Sequence, residues 1–229
     1  MANMLFLVLE GPFQSWGERA RWSVRDTAPE PTKSGVVGML ACSLGLNSDD
    51  DLRHLSRQVR LGIRCDNPGK LMVDYHTVEG GVMSAEGKIK INANTHKPET
   101  VVSWRHYLCD ACFLAAVQAS PELISRLAGA VQHPHWPIYL GRKSCPPTRP
   151  PFAGVGEYPS LEVALSALPL CSVEKEGAKQ VRGVIECSPG EGVLHRDEIE
   201  SHSRWTFGPR YTREIMLTVP NQPEGSLCT

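Results

Sequence analysis

The 229-residue sequence has no long apolar run, no internal repeat and no low-complexity tract. No stretch approaches the roughly 18 apolar residues of a membrane-spanning helix, so we expect no membrane contact. The short apolar run near the amino terminus has no positive charge before it, which favours a strand over a signal peptide. These absences predict a globular protein of the cytoplasm, and 229 residues are enough to bury a core.

The sequence also contains no complete metal-binding motif. Cys109 and Cys112 have the spacing of half a zinc site, but no second CxxC and no spaced His pair completes it. On a strand, these two residues would face opposite sides of the sheet and could not bind one ion. Both lie in an apolar run, where a reduced thiol behaves as a small apolar side chain. We therefore predict no metal and no cofactor.

The charges are nearly balanced in total, with a net charge of −1, but they are segregated along the chain. Residues 133–156 contain Arg142, Lys143 and Arg149 and no acid, and residues 87–98 contain three lysines and no acid. The acids cluster late, at Glu174, Glu176, Glu186, Glu191, Asp197, Glu198 and Glu200. Such segregation is typical of a local polyanion-binding site on an otherwise neutral protein.

Apolar periodicity predicts the order strand, helix, strand, long excursion, strand, helix, strand. The first strand, from Met4 to Leu9, is expected to end at Gly11-Pro12 because proline has no N–H to donate. An amphipathic helix is predicted from about Ser34 and a second helix start at Ser120-Pro121. The remaining predictions are a partly helical segment and several strands, at residues 47–57, 59–66, 70–78, 103–119, 181–187 and 211–219.

This order predicts an α+β protein with a ferredoxin-like, RRM-type domain over residues 1–133. Residues 78–102 contain glycines and lysines and little to bury, so we expect an inserted hairpin that projects as a thumb. Residues 134–229 are expected to form a smaller, β-rich region packed on the first domain. The RRM sheet architecture is shared by many RNA-binding proteins.

An unusual set of side chains follows the first strand. Gln14, Ser15, Trp16 and Gly17 are followed within a few residues by Arg19, Arg21 and Trp22. Unstacked single-stranded RNA needs aromatic faces for its bases, cations for its phosphates and close approach at glycines. We therefore predict that residues 14–17 form an RNA or subunit contact at the edge of the sheet. The alternative is that Trp16 packs over a loop.

Two further places could bind an anion. At the predicted helix start, Lys33, Ser34 and Gly35 accompany free N–H groups, which favours a phosphate there; the GxxxxGK[ST] spacing of a P-loop is absent. Arg105 begins a strand just beyond the core, beside Trp104, and is either an edge ion pair or a clamp on an anion. A proline-rich loop supplies one aromatic residue, two cations and a hydroxyl, from Tyr139, Arg142, Lys143 and Ser144.

Four stretches in this order resemble the Cas-five family of CRISPR-associated proteins, as found in type I-E Cascade complexes: LEGPFQSWG, PTKSGVVGMLACSLGL, DYHTV followed by WRHYLCDACF, and IYLGRKSCPPTRPPF. The resemblance covers residues 4–152 and weakens after residue 160. It implies a RAMP-type fold and a non-catalytic subunit that caps the 5′ handle of the CRISPR RNA. It assigns Arg105 and the YLGRKSC stretch, including Gly141, to the handle-binding surface. The implied partners are the backbone subunit CasC, reached by the thumb, the large subunit CasA, and target DNA only through the complex.

The alternative function is a metal-independent endoribonuclease, because family members of type I-C systems resemble the processing enzymes of their complexes. Such cleavage needs a base, an acid and a cation around the scissile phosphate. The candidate set is Tyr75, His76, His96 and Lys97, spread over a strand and the excursion. That scatter favours binding over catalysis, and no Asp/Glu cluster suggests a two-metal nuclease. A protein-interaction module without RNA is the third possibility.

Overall fold

The computed structural model describes residues 1–18, 23–80, 83, 86–171 and 179–220. Arg19, Arg21 and Trp22, which the sequence analysis noted after the first strand, lie outside the described residues. The described part of the chain forms nine strands and four helices: β1 (Met4–Gln14), β2 (Val24–Arg25), α1 (Lys33–Leu44), α2 (Asp49–Gln58), β3 (Arg60–Asn67), β4 (Lys70–Val78), β5 (Val101–Gln118), α3 (Pro121–Gln132), β6 (Phe152–Gly156), α4 (Leu161–Ala167), β7 (Lys179–Cys187), β8 (Val193–Ser201) and β9 (Thr206–Val219).

One sheet runs through the molecule in the order β6-β1-β5-β3-β7-β9-β8. All neighbours on this path are antiparallel. The first half of β5 extends beyond β3 and pairs instead with β4 on one side and with the short parallel strand β2 on the other. The mixed class of helices and strands is thus confirmed. Because β7 pairs with β3, the carboxyl-terminal strands continue the same sheet as the amino-terminal ones.

Both faces of the sheet are covered, and this explains the uninterrupted apolar run of β1. Leu5, Leu7 and Leu9 pack in the core formed with α1 and α3. The alternating residues Met4, Phe6 and Val8 pack in a second core, against α4 and the carboxyl-terminal strands. A strand whose two sets of side chains are both buried has no polar alternation, as its sequence indicated.

The helices begin where the sequence places hydroxyl side chains. Thr32 caps α1. Ser120 caps α3 with Pro121 in the first turn, as predicted. Gly45 ends α1 at a φ of 73°, a conformation that glycine adopts without strain. No helix in the described ranges is long and apolar enough to cross a membrane.

The structure differs from the expected elements in the length of β1 and in elements that were not predicted. Strand β1 continues past Pro12, because Phe13 and Gln14 still pair with Cys109 and Leu108 of β5. Strand β6 pairs with β1 only as far as Leu7, so no strand on that side requires the N–H that Pro12 lacks. Strands β2, β6 and β8 and helix α4 were not predicted. Of these, β2, β6 and α4 are short, at 2, 5 and 7 residues.

Arg64 is the least expected core residue, because its guanidinium is fully buried beneath α4. Its Nε and Nη2 atoms donate to the two carboxylate oxygens of Asp66 at 2.6 and 2.9 Å. Its Nη atoms also donate, at 2.5 to 2.7 Å, to carbonyls at the end of α4, those of Leu165, Leu168 and Pro169. A buried cation is tolerated only with such complete pairing. Arg64 therefore fastens α4 to the sheet.

We expect Arg64→Ala to lower the free energy of unfolding by about 3–5 kcal/mol, because Asp66 would remain buried without its cation. Arg60→Ala is the matched control on the same strand, since Arg60 is exposed and donates to the carbonyl of Glu186. Urea unfolding of both variants gives the comparison. Equal losses for the two variants would contradict the role assigned to Arg64.

Candidate nucleic-acid interface

The first half of β5 lies between β2 and β4, and the register of these strands sorts their side chains onto two faces. Arg25 pairs with Arg105, and Asp74 of β4 pairs with Arg105 from the other side. These three side chains therefore share one face. The opposite face contains Trp104 and Tyr75, whose rings meet edge to face at 5.8 Å. One face is thus charged and the other aromatic and apolar.

Two arginines occupy paired positions on the charged face. Arg25 is exposed, and Arg105 is half-buried with its Nε donating to Ser103 Oγ at 3.3 Å. Neighbouring strands are about 4.8 Å apart, so like charges at paired positions repel each other. The carboxylate of Asp74 offsets part of this charge and also lies 3.6 Å from His76 Nδ1. The sequence analysis missed Arg25, because β2 has only two residues and no periodic pattern marks it.

Arg142 connects this face to the loop of residues 139–145, which we call the cationic loop. Its Cζ lies 4.8 Å from the centre of the Tyr107 ring, within the range of a cation–π contact. Its Nη atoms donate to the carbonyls of His106, Arg25 and Asp26, with the shortest contact, to Arg25, at 2.8 Å. Arg142 therefore uses its donors to hold β2 in place. Lys143 and Ser144 of the same loop are exposed, and Tyr139 is half-buried.

The cationic loop packs directly on the end of β1. The backbone N–H of Ser15 donates to the carbonyl of Leu140 at 3.1 Å, and the N–H of Leu140 donates to the carbonyl of Cys145 at 2.7 Å. Gly141 has a φ of 87°, and a Cβ at this position would lie 1.8 Å from the carbonyl oxygen of Ser15. Only glycine fits this approach. The structure thus brings two predicted segments, residues 14–17 and the loop, into contact.

The side chains of Gln14, Ser15 and Trp16 point inward, which corrects the expectation of a stacking surface. The Trp16 ring is 1% exposed, and its Nε1 donates to Gln14 Oε1 at 3.0 Å. The Gln14 amide in turn donates to the carbonyls of Leu9 and Ala111 at 2.9 and 2.8 Å. Ser15 Oγ donates to the carbonyl of His106 at 3.1 Å. The alternative, in which Trp16 packs, describes the structure; of residues 14–17 only Gly17 is exposed.

Side chains of the same chain also occupy the start of α1. Lys33 is 3% exposed, and its ammonium lies 3.2 Å from a carboxylate oxygen of Glu186 and 2.6 Å from one of Glu198. Its backbone N–H donates to Asp197 Oδ2 at 2.7 Å, and Asp197 also pairs with Arg210. The predicted phosphate site is therefore filled by carboxylates of the same chain, a correction. These carboxylates belong to the late acidic cluster noted in the sequence.

The other two residues of that helix start also face inward in part. Ser34 and Gly35 are half-buried. A Cβ on Gly35 would lie 2.7 Å from the Trp16 ring, so this glycine lets α1 rest on the indole.

The candidate nuclease residues do not form a visible cluster. Tyr75 and His76 are consecutive on β4 and point to opposite faces of the hairpin. His96 lies in the exposed connection between β4 and β5, at a φ of 53°. Across the described ranges, no three His, Cys, Asp or Glu side chains converge as metal ligands would.

We expect Gly141→Ala to displace the cationic loop. Gly190 serves as a matched control because its φ is 89°, close to that of Gly141, and a Cβ there meets no atom within 4 Å. Gly190→Ala should cost only the backbone strain, about 1–2 kcal/mol, and Gly141→Ala about 1–3 kcal/mol more from the clash. Urea unfolding measures both losses. The prediction fails if the two variants are equally stable.

Comparison with known proteins matches this chain over nearly its whole length. The family model described as CRISPR-associated protein (Cas_Cas5) matches residues 4–213. The CRISPR system Cascade subunit CasD of Escherichia coli (strain K12) is 38% identical over 235 residues, which cover 97% of this chain and 92% of that protein. A solved structure described as "Crystal structure of Cas protein" superposes with a TM-score of 0.73 at 33% identity, over 96% of this chain and 99% of that one. A chain of a "CRISPR RNA-guided surveillance complex" superposes with a TM-score of 0.74 at 29% identity, over 95% and 91%. The protein belongs to the Cas5 family of CRISPR-associated proteins.

Proposed function

We propose that this protein is a non-catalytic, RNA-binding subunit of a type I-E Cascade complex and caps the 5′ handle of the CRISPR RNA. Its near full-length similarity to a Cascade subunit supports the assembly. The observation that carries the RNA-binding role is the pairing of Arg25 with Arg105 on an open strand surface. We further propose that the helices and sheet correspond to the ferredoxin-like, RAMP-type arrangement of this family.

The charged face suits a phosphodiester backbone for a physical reason. Two guanidiniums at paired positions repel each other, and an anion between them removes that cost while gaining charge-assisted hydrogen bonds. Lys143 and Ser144 extend this surface from the cationic loop, and Tyr139 offers a ring beside them. We propose these residues, with Arg25 and Arg105, as the RNA contacts.

The buried residues of the predicted site then act as supports. Trp16 and Gln14 form a hydrogen-bonded layer beneath the end of β1, and the cationic loop rests on that end. Lys33 fixes α1, whose Gly35 packs on Trp16. Arg142 donates its hydrogen bonds to carbonyls of β2 and β5 and so positions Arg25 and Lys143. Their effect on RNA would be indirect.

The β4–β5 hairpin has an apolar face opposite the charged face, and this apolar face is suited to a protein partner. Its exposed side chains include Leu71, Val73, Tyr75 and Trp104. Exposed apolar patches of this kind are typical of protein interfaces. We propose that this hairpin, with the connection at residues 78–102, is the thumb that reaches the backbone subunit CasC. The large subunit CasA is the second proposed neighbour, and target DNA would be met only through the complex.

Arg105→Ala and Arg25→Ala should each weaken binding of the 5′ handle by about tenfold or more, since a charge-assisted contact contributes about 1.5–3 kcal/mol. Lys143→Ala should act less, because neighbouring cations replace a point charge. Titration of labelled repeat RNA at one fixed salt concentration measures this, since phosphate contacts depend on salt. The control is Arg213→Ala, which removes the same charge from β9, where Arg213 pairs with Glu162. An equal loss for that control would place the RNA elsewhere.

The purified protein should not cleave its own repeat RNA, with or without a chelator. The reason is that Tyr75 and His76 lie on opposite faces of β4, so they do not converge on one phosphate. Denaturing gels of labelled repeat RNA after prolonged incubation provide the measurement. A single site-specific cut that is lost in His76→Ala or His96→Ala would instead establish the endoribonuclease alternative.

A further inference from the structure

A tryptophan is displayed at the turn between β8 and β9, away from the charged face. Trp205 is 73% exposed, more than any other aromatic side chain in the described part of the chain. It also has a φ of 54°, a left-handed conformation that a bulky residue rarely adopts. An exposed indole in a strained backbone conformation has two unfavourable features at once. Such outliers persist when the surroundings enforce them, and they concentrate at functional sites.

The surroundings of this turn do enforce it. Asp49, at the start of α2, accepts hydrogen bonds from Ser201 Oγ at 2.7 Å, from the Ser203 N–H at 2.9 Å and from Ser203 Oγ. Within the turn, the N–H of Arg204 donates to Ser201 Oγ at 3.2 Å. These hydrogen bonds, first of all that from Ser201, hold the pKa of Asp49 well below its usual range. The carboxylate therefore stays ionised and keeps the turn in place.

The indole is also held on one side. The His202 ring lies 5.4 Å from the Trp205 ring, centre to centre, and the backbone N–H of Trp205 donates to the carbonyl of His202 at 3.3 Å. A side chain that is already ordered loses little entropy when it is bound. Tryptophan is among the residues that contribute most at protein interfaces, where it fills a pocket and donates its N–H.

The charges around the turn do not favour a nucleic acid. The first turn of α2 carries three consecutive aspartates, residues 49–51. The two arginines of α2 are already paired, Arg53 with Asp50 and Arg57 with Glu200. Although Arg204 adds one cation, the patch has no excess of positive charge to attract a phosphate backbone.

The turn is also distant from the proposed RNA face. Strand β8 is the last strand of the sheet, four strands from β5. At about 4.8 Å per strand, this is roughly 19 Å within the sheet. A ligand on the charged face of β5 would therefore leave the turn open to a different partner.

We propose that Trp205 anchors this protein to a neighbouring protein subunit of the same assembly, by inserting its ring into an apolar pocket that accepts a hydrogen bond from the indole N–H. The inference rests on the proposed function for the existence of that assembly. It adds a contact surface on β8 and β9, separate from both the RNA face and the β4–β5 hairpin.

The test is reconstitution with the purified remaining protein subunits of the same type I-E system and their CRISPR RNA. Trp205→Ala should weaken incorporation of the labelled chain by about thirtyfold, the loss typical of an interface anchor. The matched control is Met216→Ala, which removes a comparably exposed apolar side chain from the strand that follows the turn and should change the affinity less than about twofold. Asp49→Asn loosens the turn and should give a smaller loss than Trp205→Ala.

Two further measurements, together with the outcomes of the reconstitution, identify the occupant. Binding of repeat RNA by the isolated chain should be the same for Trp205→Ala and the unmodified protein; a weaker RNA affinity would overturn the proposal in favour of a nucleic-acid contact. Loss of a homodimer in sedimentation would overturn it in favour of a second copy of this chain. Equal incorporation of Trp205→Ala and the unmodified protein would overturn it while leaving the proposed function intact. An unmodified chain that fails to join the assembly would overturn both.

Discussion

The arrangement of the elements depends on the ion pairs of the buried Lys33 ammonium. A lone ammonium in the interior is strongly unfavourable, so the fold must bring carboxylates to it. Glu186 of β7 and Glu198 of β8 do so, and Asp197 accepts from the first N–H of α1. One cation thus joins the first helix to two strands that come from the far end of the chain.

From this anchor, a series of contacts leads to the surface. Lys33 fixes the start of α1, Gly35 of that helix rests on the Trp16 ring, and Trp16 donates to Gln14 at the end of β1. The cationic loop then seats on Ser15. The side chains of Lys33, Gln14 and Trp16 are nearly fully buried, so residues of the interior help to determine where Lys143 and Arg142 lie. The geometry of the charged face is therefore a property of the core.

Features set by neighbouring residues could be predicted from the sequence. The cap of α3, the apolar run of β1 and the long strand β5 all follow from residues a few positions apart. Arg64 could not be read in this way. The alternation of apolar and polar residues in β3 places Arg64 on the polar face of that strand. However, α4, which follows 101 residues later, covers its side chain and supplies the carbonyl of Leu165. Trp16 and Lys33 were misplaced for the same reason, since aromatic and cationic residues are usually exposed unless distant partners enclose them. Arg25 was missed because its strand is too short to have a pattern.

The long separation between Lys33 and its partners also orders events during synthesis. Glu186 and Asp197 follow Lys33 by 153 and 164 residues. Chains are made at about 5–20 residues per second, so the ribosome needs on the order of ten seconds or more to supply the carboxylates after the lysine has emerged. During that interval the Lys33 ammonium lacks Glu186 and Glu198, so its burial at the start of α1 is unfavourable. The nascent chain therefore completes its core only when the carboxyl-terminal strands have left the ribosome, and a truncated product would expose an incomplete, charged core to proteolysis.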